Sequence, residues 1–83
     1  MSGVRKRSVT IRGHRTSFSL EDAFFEIIAA MAKSSGLSLS AQIFLIDEAR
    51  GRDVNLSSAL RLAALDWVKK STGSVIESAL DQG

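Results

Sequence analysis

Two runs, Arg15-Thr-Ser-Phe-Ser-Leu-Glu-Asp22 and Ser34-Ser-Gly-Leu-Ser-Leu-Ser40, decide how this chain reads. In the first, Thr16, Phe18 and Leu20 alternate with Arg15, Ser17 and Ser19, the period of a half-buried strand. Ser19-Leu-Glu-Asp22 then reads as a helix start. Ser19 offers an N-cap hydroxyl, and Glu21 and Asp22 suit the positive end of the helix dipole. Phe24, Ile27, Ile28 and Met31 recur behind it at helical spacing. In the second run Gly36 is placed to stop that helix in a left-handed conformation, and Ser38 to cap the next one.

Before Arg15 a second alternation, Ser8-Val-Thr-Ile-Arg12, is rich in β-branched residues, and Gly13 permits a tight turn. A turn at Gly13-His14 predicts a hairpin with Ile11 facing Thr16 and Val9 facing Phe18. Val9, Ile11, Thr16, Phe18 and Leu20 then share an apolar face, and Ser8, Thr10, Arg12, Arg15, Ser17 and Ser19 a polar one. Residues 1–7 read as a disordered basic arm, residues 8–73 as one domain and residues 74–83 as a short tail with a weak helical pattern around Val75, Ile76, Ala79 and Leu80.

Beyond Ser38 a second helix is expected to about Arg50. Its middle, Ala41-Gln-Ile-Phe-Leu-Ile46, is apolar nearly all round, so it needs protein on every side. Gly51 and Arg52-Asp-Val-Asn55 form a loop, and Asn55 or Ser57 caps a third helix over residues 56–70. Leu60, Ala63, Ala64, Trp67 and Val68 make its buried stripe, and Ser71-Thr-Gly73 its stop. Within it Arg61 has Asp53 or Asp66 as ion-pair candidates.

Eighty-three residues without cysteine, 45% of them hydrophobic, have more apolar surface than one small core easily covers. A homodimer sharing its core is the expected solution, with Phe18, Leu20, Phe24, Ile28, Ile43, Phe44 and Ile46 as candidate dimer-core residues. The net charge of +2 is unevenly placed: residues 1–20 carry five basic and no acidic side chains, residues 21–83 six basic and nine acidic. A basic end on a mildly acidic body suits a polyanionic partner. No apolar run reaches transmembrane length, and no apolar segment follows the basic N-terminus as in a signal peptide; the reading is cytoplasmic, with no membrane partner.

Strand, capped helix, Gly36-Leu-Ser-Leu-Ser40 and second helix, with Leu20 sixteen residues before Gly36, resemble the ribbon-helix-helix DNA-binding family over residues 15–50. The third helix with Asn55-Leu-Ser-Ser-Ala-Leu-Arg61 resembles a subgroup with an added C-terminal helix. The resemblance implies a mainly α fold with a short N-terminal β-ribbon, two chains pairing strands as an intertwined homodimer, and a ribbon inserted in the DNA major groove. It makes Arg12, Arg15, Ser17 and Ser19 base-reading candidates, with Ser8 and Thr10 as readers if residues 8–12 are instead the paired ribbon. Arg5, Lys6 and Arg7 become phosphate candidates, as do Ser38, Leu39 and Ser40 through free amides at a helix N-terminus. Both registers stay open. Four strands would set the outer pair about 14 Å apart, against a groove about 12 Å wide.

The implied function is transcription regulation or antitoxin-type autorepression, with double-stranded DNA as partner and a toxin or other protein as a further one. The alternative is a protein-interaction module without specific DNA binding. An enzyme is not expected: there is no cysteine, His14 is the single histidine and is expected in an exposed turn, and Asp47-Glu48 has no base to act with. The same composition gives no metal ligands and implies no cofactor.

Overall fold

In a computed structural model the chain is described over residues 3–82, with side chains through Ser71. Two strands, β1 (Val4–Ile11) and β2 (His14–Glu21), form an antiparallel hairpin, followed by three helices: α1 (Asp22–Ser35), α2 (Leu39–Ala49) and α3 (Leu56–Gln82). The turn falls on Arg12 and Gly13, not on Gly13 and His14. Both turn residues have positive φ, 52° and 79°, as in the primed two-residue turns whose twist matches a hairpin. Ile11 therefore faces His14, Val9 faces Thr16 and Arg7 faces Phe18. The pairing differs from the expected one by two residues, an even number, so every side chain keeps its face.

β1 also starts earlier than its alternation suggests. Residues 4–7, expected in a disordered arm, extend the strand; residues 1 and 2 lie outside the described residues. The reason is long-range. Arg5 Nε sits 3.4 Å from Asp22 Oδ1, Arg7 is paired with the same carboxylate, and the Arg7 guanidinium lies 4.0 Å from the centre of the Phe25 ring. Ion pair and cation–π contact give the basic residues something to pack against.

The hairpin ladder claims Ser19 and Leu20, so Ser19 is a strand residue and Glu21 the N-cap of α1, without a side-chain capping bond. The glycine stop forms as expected. Gly36 is left-handed at φ 69°, and Leu37 N–H reaches back to Ala32 O at 2.8 Å, the 6→1 bond of a Schellman motif. The chain then bends by 102° into α2, where Ser38 Oγ accepts the Ala41 N–H at 3.1 Å. Asn55 Oδ1 caps α3 by accepting the Ser58 N–H at 2.8 Å. α3 does not stop at Ser71-Thr-Gly73 but continues to Gln82. The side-chain packing expected around Val75, Ile76, Ala79 and Leu80 lies outside the described residues.

Phe18, Leu20, Ile28, Ile43, Leu56, Leu60 and Ala64 form one core, drawn from β2 and all three helices. Leu20, Ile28, Ile43 and Leu60 are fully enclosed, and burying a side chain of this kind contributes about 1.5–3 kcal/mol. Four residues expected at a dimer core, Phe18, Leu20, Ile28 and Ile43, are thus already covered within one chain. Phe24 and Ile46 pack at its margin, and Phe44 lies under the guanidinium of Arg12, 4.5 Å from its ring centre. α3 performs much of the covering that the apolar α2 was expected to need from a partner.

Candidate nucleic-acid interface

Antiparallel pairing sorts the hairpin into two chemically different faces. Arg7, Val9, Ile11, Thr16, Phe18 and Leu20 lie toward the helices and are at least half-buried. Lys6, Ser8, Thr10, Arg15, Ser17 and Ser19 are exposed on the other face. On that face Lys6 stands opposite Ser19, Ser8 opposite Ser17 and Thr10 opposite Arg15. A diagonal bond, Arg15 Nε to Ser8 Oγ at 3.2 Å, orients the arginine along the strands. Five of the six reading candidates, from both registers considered, therefore share one surface; the sixth, Arg12, sits in the turn.

Arg12 marks where that surface meets α2. Thr10, Ile11 and Arg12 from the hairpin tip and Ser40, Ala41 and Phe44 from α2 line an open cavity of ≈ 190 Å³. The first amides of a helix have no acceptor inside it. Here Ser38 satisfies those of Ala41 and Gln42 through its hydroxyl and carbonyl, so Leu39 and Ser40 are the donors left at the helix start. An arginine, a lysine, hydroxyls and a helix N-terminus on one side of the molecule suit an extended anion.

The basic candidates divide differently from expectation. Lys6 belongs to the polar face. Arg5 and Arg7 lie on the opposite side, both paired with Asp22, Arg7 largely covered and Arg5 67% exposed. His14 is exposed, as expected, but as the first residue of β2.

Sequence reasoning missed the clamp that joins α3 to β2. Ser57 Oγ accepts the Ser19 N–H at 3.0 Å, and Arg61 Nε binds Glu21 Oε1 at 2.9 Å in place of Asp53 or Asp66. A hydrogen bond from its own backbone amide, and then the Arg61 guanidinium, hold the Glu21 carboxyl below its ordinary range. No local signal could have found these pairs, which are 38 and 40 residues apart in sequence. Lys6 joins the polar face because β1 extends back past Ser8 and keeps its alternation.

A family model described as a ribbon-helix-helix domain matches residues 4–68. The chain belongs to the ribbon-helix-helix family. The match covers β1, β2, α1, α2 and the first half of α3, so hairpin and added helix both fall within this domain. Ribbon-helix-helix domains are typically DNA-binding transcription regulators. No curated protein and no solved structure matches the chain. Among the described residues no single helix is long and apolar enough to cross a membrane.

Proposed function

We propose that this ribbon-helix-helix chain acts as a dimeric, sequence-reading DNA-binding regulator, either of transcription generally or as an antitoxin-type autorepressor. The observation that carries the reading is the hairpin's polar face, where Lys6, Ser8, Thr10, Arg15, Ser17 and Ser19 stand together without an acidic side chain until Glu21 at its end. Long cations attract the duplex by releasing counterions, and hydroxyls and arginine can bond base edges in the major groove. A phosphate at the start of α2, near Leu39, Ser40 and Arg12, would fix the angle of approach.

In a dimer joined through its hairpins the sheet has four strands, wider than the groove. The inner two strands then enter it, and the outer two lie along the phosphates. The test is binding of duplex DNA measured by fluorescence anisotropy over a salt series. The native chain is expected to lose affinity steeply with salt. Lys6→Ala with Arg15→Ala should flatten the slope by about 1 for each phosphate that is no longer neutralised. No salt-dependent binding, or an unchanged slope, contradicts the reading.

A second reading, a protein-interaction module, is favoured by a different surface. Leu62 and Leu65 on α3 are 61% and 51% exposed. Beside Leu62, an apolar groove of ≈ 280 Å³ runs between α2 and α3, lined mainly by Ile46, Ala49, Val54, Ala59 and Ala63. A toxin or another protein would dock there. Leu62→Ser with Leu65→Ser should leave duplex binding intact if the DNA reading is right.

A further inference from the structure

The hairpin has two edges, and they are not equivalent. On the β2 edge the Ser19 N–H is taken by Ser57 Oγ, and the Arg61–Glu21 pair holds the start of α3 against it. Because the Ser19 amide points away from β1, Lys6 and Ser19 are a non-hydrogen-bonded pair. By the alternation of an antiparallel ladder, Val4, Lys6, Ser8 and Thr10 must then direct their N–H and C=O groups out of the β1 edge. Among the described residues nothing hydrogen-bonds to those groups. An open strand edge of eight residues is a template for another strand.

We propose that β1, and not β2, crosses the dimer two-fold, paired antiparallel with β1 of a second copy in a register centred on Ser8. The proposal rests on the dimeric DNA-binding reading above and specifies its seam. Centring on Ser8 sets Lys6 opposite Thr10, Arg7 opposite Val9 and Arg5 opposite Ile11 of the second copy, so no like charges face each other directly. Centring on residue 7 would oppose Arg7 to itself, and centring on residue 9 would oppose Lys6 to Arg12. Arg5 and Arg7 are in addition paired with Asp22 of their own chain, which lowers the repulsion between two basic strands.

The same register sets Val4, 55% exposed and on the polar face opposite Glu21 of its own chain, opposite Arg12 of the second copy. Two-fold symmetry makes that contact twice. The inner pair of strands then carries Lys6, Ser8 and Thr10 into the groove. Arg15 and Ser17, on the outer strands, take the phosphate side. Base reading moves from β2 to β1.

The chain has no native cysteine, so single thiols report cleanly. Two Ser8→Cys thiols would sit on a hydrogen-bonded pair with Cα atoms about 5.5 Å apart, inside the disulfide range of about 4.4–6.8 Å. Two Ser17→Cys thiols would sit on the outer strands, about 14 Å apart. Both positions are exposed, so both full-length variants should fold. They are equilibrated with oxidised and reduced glutathione and resolved on a non-reducing gel, with the native chain sized by sedimentation equilibrium. A native dimer, with covalent dimer for Ser8→Cys and little for Ser17→Cys, is the expected result. A native dimer that cross-links through Ser17→Cys, or through neither, overturns the seam and leaves the dimer standing. A native chain that stays monomeric at tens of micromolar overturns the dimer and the seam with it.

Discussion

Arg7 shows how a single residue changes meaning between sequence and structure. In the sequence it is one of three consecutive cations; in the fold its carboxylate partner is Asp22 and its stacking partner Phe25. Arg7→Ala should lower stability by about 1–2 kcal/mol, combining a partly covered ion pair with a cation–π contact. Urea unfolding would check it, and a change in midpoint below the resolution of the curve would refute the structural role. Glu21 gives a pH signature. Its carboxyl is held below 4.5, so its charged form favours the folded state. That stability is fully present above the ordinary carboxylate pKa and is lost as pH falls through the lowered value. The urea midpoints of the native chain and Glu21→Gln should therefore differ at pH 7 and converge as the pH is taken below about 4.5. A constant gap would contradict the pairing with Arg61.

The elements divide by how local their causes are. Gly36, Ser38 and Asn55 act within four residues of themselves, and their stop and caps were readable from residue type and spacing. Ser38→Ala should cost about 0.5–2 kcal/mol through loss of the α2 cap. The start of β1 was not readable, because Arg5, Lys6 and Arg7 carry no strand pattern and depend on residues of α1. The turn was misplaced by one residue because Arg12, not His14, adopts a positive φ that non-glycine residues rarely take. Ser19 satisfied a capping pattern and a strand pattern at once, and the longer hairpin ladder prevailed. Gly73 resembled a stop, yet α3 runs through it; we have no physical account of that continuation. The α3 clamp has its own test. Ser57→Ala should speed hydrogen exchange at the Ser19 amide, which is left without its acceptor. Unchanged exchange there would mean that α3 does not close the β2 edge.

For the whole molecule, the sequence led correctly to the hairpin, the helix order and the ribbon-helix-helix family, while it overstated how much a second copy is needed to cover the core. α3 reaches back across the chain and encloses Phe18 and Leu20 itself. In the proposed dimer the open β1 edge takes the second copy, and the polar hairpin face is the surface offered to DNA. That the residues considered for DNA share one hairpin face was legible, because a strand's two faces follow from parity alone. Which edge of the hairpin α3 covers was not legible, because it depends on contacts 38 and 40 residues apart in sequence. The most direct test of the central claim is a map of backbone amide shifts, measured by NMR as duplex DNA is added. The shifts should concentrate at Lys6, Ser8, Thr10, Arg15 and Ser17 and at Leu39 and Ser40 in the first turn of α2. Shifts confined to α3 around Leu62 and Leu65, with the hairpin face silent, would contradict it.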